Sequence, residues 1–412
     1  MRSLKIFLKV KEQRLSKENM KLDRNTYKFT DKGNLGKIAL VVGIVGLAAS
    51  AVGYIQDSHQ FYFSYLVAFF FWISVALGAL FFNLLHHLTR ASWSTAIRKL
   101  TESMMSVIPF MFVLIIPVLL GMHELYHWTH EDVVATDLVL QQKAPYLNIP
   151  FFIIRVCFYF AVWSILTFLL IKNSAKQDIK HEDSILARMR KYSAPGMMLF
   201  AFTLTFASFD WLMSLEPHWF STIFGVYIFC GVFISMLAFT IIMVRYQNGQ
   251  GAFDGIVTVE HRHTLGKLLF AFTIMWAYMG FSQYLLIWYA NLPEETFWYL
   301  QRWEGSWRTL SIILPIAHFG LPFVALLPQA AKRNGNWLLM MAFYMLLMRY
   351  MDLYWIAMPT HSPEGIHYSW MDISTMAGIG GIFIWLFWRK YTSGAAVPVN
   401  DPGLKVSMEH VN

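Results

Sequence analysis

Five ionisable side chains lie inside long apolar segments of this sequence, where they could take up and release protons. Arg155 and Asp210 lie in neighbouring segments, His318 lies in a third, and Arg349 and Asp352 share a fourth. Arg349 and Asp352 are three residues apart and therefore lie on one face of a helix. Because a charged side chain in lipid is costly, each must face the protein interior, a partner or water. We expect Arg155 to pair with Asp210, and all five to belong to a network that handles protons.

Weaker candidates lie at the ends of the apolar segments. At the end that also carries Asp210, the candidates are His123, Glu124, Gln283 and Tyr284. At the opposite end, the candidates are Asn83, His86, His87 and Glu102. Only weakly polar side chains lie between the two groups. The sequence therefore favours two half-channels, one from each side of the membrane, over a continuous proton route.

Each of these candidates also has a structural explanation. Arg349 and Asp352 could form a buried ion pair whose only role is to neutralise two charges. His318 could form a hydrogen bond between helices. His86 and His87 could be interfacial residues, with the ring buried and the polar edge in water. These alternatives remain open at the level of sequence.

The segments that carry the candidates are long enough to cross a bilayer as helices. The chain has 412 residues, of which 57% are hydrophobic and 14% are charged, too few charges for the surface of a soluble protein of this size. A spanning helix needs about 20 apolar residues and satisfies its own backbone. We therefore predict an all-α integral membrane protein. Ten transmembrane helices are expected at 37–55, 62–87, 103–122, 148–172, 195–215, 219–245, 264–290, 308–328, 336–357 and 372–390.

The basic residues predict the orientation of these helices. Of the 33 Lys and Arg residues, 28 fall on the side of the N-terminus and four on the other side, with Arg349 inside a span. Such a bias marks the cytoplasmic side. We expect a multi-pass protein with both termini in the cytoplasm. The net charge of +8 comes largely from the basic tail, which favours contact with the lipid bilayer and gives no reason to expect a nucleic-acid partner.

Cysteine and histidine usage bears on cofactors. Cys157 and Cys230 are the only cysteines, too few for an iron–sulfur cluster or a structural zinc site. A membrane haem b needs histidines on facing helices, and only His318 is deep in a predicted span. We expect neither a bound metal nor a covalently bound cofactor.

One spacing of residues occurs twice in the sequence and suggests an internal repeat. Asp210 is followed seven residues later by Pro217, and Asp352 is followed seven residues later by Pro359. This spacing suggests two related four-helix units, formed by spans 2–5 and spans 6–9, with spans 1 and 10 flanking them. The expected organisation is a basic tail at 1–36, a membrane domain at 37–392 and a cytoplasmic tail at 393–412.

Two longer segments resemble a known family. From Ser208 to Tyr227 the sequence reads SFDWLMSLEPHWFSTIFGVY, and from Gly280 to Glu295 it reads GFSQYLLIWYANLPEE. Both resemble the ActF-like ten-helix membrane subunits of bacterial alternative complex III, which are similar to the NrfD and polysulfide reductase membrane subunits. The resemblance covers residues 35–392 and does not extend to the tail at 1–34.

The resemblance implies a fold, a reaction and partners. The fold would be two four-helix bundles and two flanking helices in the bacterial inner membrane. The complex would oxidise menaquinol or another quinol near the outer face and pass electrons to cytochrome c or another acceptor. The implied partners are a sister ten-helix membrane subunit, an iron–sulfur subunit, multihaem and monohaem cytochrome c subunits and a terminal oxidase. This subunit would interact with quinol or transfer protons, with no redox centre of its own.

Two other functions remain open. A secondary transporter is the first, because Pro109, Pro117, Pro315 and Pro322 could interrupt spans, although paired broken helices are not evident. A purely structural anchor of a redox complex is the second. Partner proteins with haem or iron–sulfur clusters would separate a redox subunit from a transporter.

Overall fold

The computed structural model describes residues 34–179, 182–251, 253 and 255–411. Within these ranges the regular structure is helical and no β-strand occurs, so the all-α prediction is confirmed. Most of the basic tail predicted at 1–36 lies outside the described residues.

The first half of the chain forms ten helices. They are α1 Leu35–Gln56, α2 Ser58–Thr89, α3 Arg98–Met105, α4 Ile108–Leu114, α5 Ile116–Leu120, α6 Met122–Leu125, α7 Glu131–Thr136, α8 Leu138–Lys143, α9 Ile149–Ile179 and α10 Asp183–Trp211. Short 3₁₀ turns at Trp93–Ile97, His127–Thr129 and Met213–Leu215 join them.

The second half adds nine helices. They are α11 Phe224–Gly249, α12 Val259–Ala290, α13 Pro293–Gln301, α14 Trp307–Leu314, α15 Leu321–Leu326, α16 Gln329–Arg333, α17 Gly335–His361, α18 Trp370–Thr392 and α19 Gly403–Met408. A π-helical turn at Pro315–Gly320 joins α14 to α15.

Nine helical segments in the described ranges are long and apolar enough to cross a membrane, so the chain is a multi-pass membrane protein. They correspond to nine of the ten predicted spans. The remaining span, predicted at 336–357, lies in α17, which is long enough but is not among the nine. Arg349, Asp352 and several Tyr and Trp residues reduce its apolar character. A count of ten spans therefore remains a prediction.

Two predicted spans are interrupted helices. The third, expected at 103–122, begins at Trp93 and is divided among α3, α4, α5 and α6. Pro109 and Pro117 lie at the starts of α4 and α5, because proline lacks the N–H that would continue the preceding helix. The eighth span is divided by the π-helical turn that carries His318.

The core of the bundle lies between α2 and α11, the two most completely buried spanning helices. These are the first helices of the two predicted four-helix units, and they pack where a side chain at Gly78 would meet Val232 and Met236. The flanking helices α1 and α18 also approach closely. A Cβ atom at Gly46 would lie 2.5 Å from the backbone nitrogen of Gly378, so glycine at this position allows the two helices to pack closely.

The C-terminal segment 393–412 is described as far as residue 411, and it packs against one end of the bundle through buried residues between 396 and 408. Ala396, Val397 and Leu404 are fully buried, and Arg98 pairs with Asp401 at 2.7 Å. Burial opposes ionisation of Asp401, but the Arg98 guanidinium outweighs it, so the pKa of Asp401 is lower than usual. The predicted tail is therefore an ordered part of the fold.

Candidate functional site

The first buried carboxylate, Asp210, is held by a set of four hydrogen bonds. Arg155 donates from Nε to Oδ2 at 2.8 Å and from Nη2 to Oδ1 at 3.0 Å. Tyr146 donates to Oδ1 at 2.9 Å, and Tyr159 donates to Oδ2 at 2.6 Å. We call these four residues the Asp210 cluster. The pairing of Arg155 with Asp210 that the sequence suggested is present.

Local structure positions each member of the Asp210 cluster. Asp210 lies in the last turn of α10, where Ser214 donates a hydrogen bond to its backbone carbonyl. Arg155 and Tyr159 are one turn apart on α9 and so share a face. The Arg155 guanidinium also lies 3.9 Å from the ring centre of Tyr146 and donates to the Tyr146 carbonyl at 2.8 Å.

The Asp210 carboxylate has little capacity for a further partner. A carboxylate has about four lone-pair sites, and four donors occupy them. The side chain of Asp210 is fully buried. Four donors from two other parts of the chain hold the carboxylate in a fixed geometry, which suits an internal strut that joins α9 to α10 better than a group that exchanges partners.

The second buried carboxylate, Asp352, has a different set of donors. Arg349 and Tyr227 donate to it, and the indole Nε1 of Trp276 lies 3.2 Å from Oδ2. The ring of His318 lies against that of Trp276, with 4.0 Å between ring centres. We call these five residues the Asp352 cluster. They come from α11, α12, the π-helical turn and α17, so the cluster draws on all four spans of the second predicted unit.

Several buried nitrogens of the Asp352 cluster make no hydrogen bond to a described residue. They are Nε and Nη2 of Arg349 and both ring nitrogens of His318. Arg349, Asp352 and His318 are fully buried. Buried polar groups in folded proteins are nearly always paired, with protein or with ordered water. The Asp352 cluster therefore has donors and acceptors to offer to water, to a ligand or to a transferred proton.

A glycine in α11 makes room for the Arg349 side chain of this cluster. A Cβ atom at Gly231 on α11 would lie 2.3 Å from the Arg349 guanidinium, so only glycine lets that group rest against the helix.

Pro359 in α17 has no N–H to donate to the carbonyl of Trp355. Nε of the buried Arg302 donates to that carbonyl instead at 3.1 Å. Burial lowers the pKa of Arg302 to about 9, although Glu216 acts in the opposite direction.

The remaining candidates near the Asp210 end are dispersed. His123 and Glu124 are exposed, and His123 stacks on His130 with 3.8 Å between ring centres. Gln283 is buried and accepts a hydrogen bond from Ser221 at 3.0 Å. Tyr284 is exposed. The structure joins none of these four residues to Asp210 or Asp352 by a hydrogen bond.

At the opposite end, three of the four candidates share a cavity. Asn83, His86 and His87 line a space of about 220 Å³ beside the C-terminal segment. Glu102 does not line it. Instead, Glu102 accepts hydrogen bonds from Lys99 at 3.1 Å and from Ser174 at 2.8 Å.

Sequence reasoning missed the aromatic donors of both clusters. Tyr146, Tyr159, Tyr227 and Trp276 were not distinguished, because the sequence contains 19 Tyr and 16 Trp residues. The spacing of Tyr159, four residues after Arg155, was the available signal, because it places both on one face of α9.

A hydrogen-bonded chain near the ends of α2, α17 and α18 was also missed. His361 contacts His59 at 2.7 Å and Gln60 at 2.8 Å. Gln60 donates to Ser64 at 2.8 Å, and Ser64 donates to Asp372 at 2.6 Å. Asp372 at the start of a predicted span was the only available signal, because the other members are ordinary at helix ends.

Neither a metal-binding site nor a known relative assigns a role to these residues. Among the described residues, no group of three or more His, Cys, Asp or Glu side chains could hold a metal ion. No family model matches the chain, and no curated protein matches it.

Proposed function

We propose that this chain is a membrane subunit of a quinol-oxidising electron-transfer complex, and that the Asp352 cluster transfers protons released during quinol oxidation. The observation that carries the proposal is the buried Asp352 carboxylate in a cluster where nitrogens of Arg349 and His318 make no hydrogen bond to a described residue. Quinol oxidation releases two protons, and a carboxylate or imidazole near the reacting oxygens can accept them. The two segments that resemble alternative complex III subunits support the redox context.

The proposed setting follows from the same resemblance and from the charge bias. The chain would lie in the bacterial inner membrane with both termini in the cytoplasm. It would assemble with a sister membrane subunit, an iron–sulfur subunit and cytochrome c subunits. The bound substrate would be menaquinol or another quinol. A C-terminal reporter that is active only in the periplasm should stay inactive, whereas its activity would contradict the orientation.

Purification from native membranes tests the proposed function. A tagged full-length chain should copurify with proteins that carry c-type haem and iron–sulfur clusters, and the preparation should oxidise quinol. A tagged multi-pass protein of unrelated function from the same membranes is the matched control. Recovery of this chain without such partners, in a preparation that does not oxidise quinol, would contradict the proposal.

A structural anchor is the second candidate, and the Asp210 cluster favours it. All four hydrogen bonds of that carboxylate are internal, as expected of a strut. If the whole chain is an anchor, neutral substitutions in either cluster should leave quinol oxidation by the assembled complex unchanged. If the proposal is correct, only those at Asp352 should slow it.

A secondary transporter is the third candidate, because two predicted spans are interrupted by proline. These are the second span of one predicted unit and the third span of the other. Transporters with internal repeats usually interrupt corresponding spans. The purification above separates this candidate, since a transporter would have no need of haem-bearing partners.

A further inference from the structure

A cavity of about 220 Å³ opens at the end of the bundle where the basic residues collect. Three arginines line it: Arg90 after α2, Arg98 at the start of α3 and Arg190 in α10. Among the described residues of the lining, Asp401 from the C-terminal segment is the only acidic one. The described lining is therefore cationic overall, and no residue of the Asp352 cluster belongs to it.

The acidic residue in the lining is already neutralised. Nη2 of Arg98 lies 2.7 Å from Oδ2 of Asp401, and the backbone nitrogen of Gly403 donates to Oδ1 at 2.8 Å. The contact with Arg98 is an ion pair by distance, although its angle is poor for a hydrogen bond. Arg90 and Arg190 have no ion-pair partner among the described residues, so two positive charges remain in the lining.

The backbone at Arg90 suggests that its side chain matters. Arg90 follows the last turn of α2 with φ 53° and ψ 37°, in the left-handed region. Glycine or asparagine usually occupies this position, because a longer side chain is disfavoured there. Arg90 adopts this conformation at the end of α2, and its side chain lines the cavity.

The lining also offers groups that suit an amphiphilic anion. Ser92 and Thr95 provide hydroxyl groups, whereas Phe82 and Leu186 provide apolar surface. His87 lines the cavity as well, and it makes no hydrogen bond to a described residue. Phosphate oxygens bind arginine and hydroxyl donors, and glycerol or acyl carbons bind apolar side chains.

We propose that this cavity binds the phosphate headgroup of an anionic phospholipid. The cavity lies where α2 ends, so a lipid phosphate at the membrane surface can reach it. Basic pockets between helices on the cytoplasmic side have this specificity. Because Asp401 and Gly403 form one wall, the bound lipid would also hold the C-terminal segment against the bundle. The inference does not depend on the proposed redox function.

Binding of fluorescent phosphatidylglycerol to the full-length protein in neutral detergent tests the proposal. The double variant Arg90→Gln/Arg190→Gln should bind this lipid more than about tenfold more weakly, since each arginine near an anionic lipid contributes about fivefold. The matched control is Arg188→Gln/Lys390→Gln, which removes two exposed charges from the same end of the bundle but none from the cavity. Its affinity should change by less than about twofold.

Three outcomes decide the proposal. Selective weakening in the cavity variant, with slower amide exchange over 396–408 when phosphatidylglycerol is bound to the unchanged protein, supports it. Equal weakening in both double variants would overturn it, because the attraction would then come from diffuse surface charge. Displacement of the lipid by equimolar inorganic phosphate would also overturn it and assign the cavity to free phosphate. If the double variant fails to fold, Arg190→Gln alone is compared with Arg188→Gln.

Discussion

Asp210 and Asp352 are both fully buried and both paired with an arginine, yet their surroundings differ. Asp210 lies in the last turn of α10, and its arginine comes from the neighbouring helix α9. Asp352 lies well inside α17, and its arginine comes from the same helix. An ion pair between helices fixes their relative position, whereas one within a helix contributes little to helix packing.

The two clusters also differ in how fully their polar atoms are paired. Every acceptor site of Asp210 is occupied, whereas nitrogens of Arg349 and His318 in the Asp352 cluster make no hydrogen bond within the described part of the chain. A fully paired network is rigid, and a partly paired one has capacity to exchange partners. The comparison favours a structural role for Asp210 and agrees with the proton-transfer role proposed for Asp352, although the sequence predicted that both belong to one network that handles protons.

The largest expected effect is on stability. Asp210→Asn leaves the Arg155 charge buried without a counter-charge and should lower the free energy of unfolding by about 3 kcal/mol. The additional substitution Arg155→Gln removes that charge and should restore most of the loss. Thermal unfolding of the purified protein measures both. A single variant as stable as the unchanged protein would show that the pair is not a strut.

A second prediction concerns the glycine beside Arg349. Gly231→Ala forces the guanidinium away from α11 and should cost about 2 kcal/mol, typical of overpacking in a core. Gly249→Ala on the same helix is the matched control, because its Cβ atom would lie no closer than 3.8 Å to the nearest neighbour. Equal stability of the two variants would mean that Arg349 can move without cost.

A third prediction compares the tyrosines that donate to the two carboxylates. Tyr159→Phe and Tyr227→Phe each remove one donor and should each lower stability by about 1 kcal/mol. Only Tyr227→Phe should alter the pH dependence of quinol oxidation in the assembled complex, because only Asp352 is proposed to exchange protons. A changed pH profile in the Tyr159 variant would remove the distinction between the clusters.

The smallest expected effect is a pH dependence at an ion pair between Asp137 and His218. His218 lies 2.5 Å from Asp137, and this hydrogen bond lowers the pKa of the partly exposed Asp137 carboxyl. A lowered pKa adds stability above the unfolded value of about 4, and that stability is lost as the pH falls through the folded value. Asp137→Asn should therefore slightly lower the thermal midpoint at pH 7 but not in strong acid. A difference that persists in strong acid would contradict this assignment.

Much of the fold could be predicted from hydrophobic pattern alone. Each predicted span lies largely within helical structure, because only a helix pairs its own backbone in lipid. The helical structure of the third span extends further back than the predicted start at 103, through the charged residues Arg98, Lys99 and Glu102. In the structure these charges neutralise one another and Asp178 and Asp401, so the helical segment extends back to Trp93.

The candidate site was only partly predictable. Charges in apolar segments identified Asp210, Arg349 and Asp352, because lipid makes such residues rare unless they have a role. The partners within a helix could be read from spacing, as for Arg349 with Asp352. Partners from other helices, such as Tyr227 and Trp276, depend on how α11 and α12 pack against α17, which no local pattern reveals.

Quinol oxidation and proton release by the assembled complex test the central claim most directly. The variant Asp352→Asn/Arg349→Gln is compared with Asp210→Asn/Arg155→Gln, so that neither leaves an uncompensated charge. Both complexes should assemble. The Asp352 pair should turn over about 100-fold more slowly, as expected for loss of a proton-transfer group, whereas the Asp210 pair should match the unchanged complex. Unchanged turnover and proton yield in the assembled Asp352 pair would contradict the account.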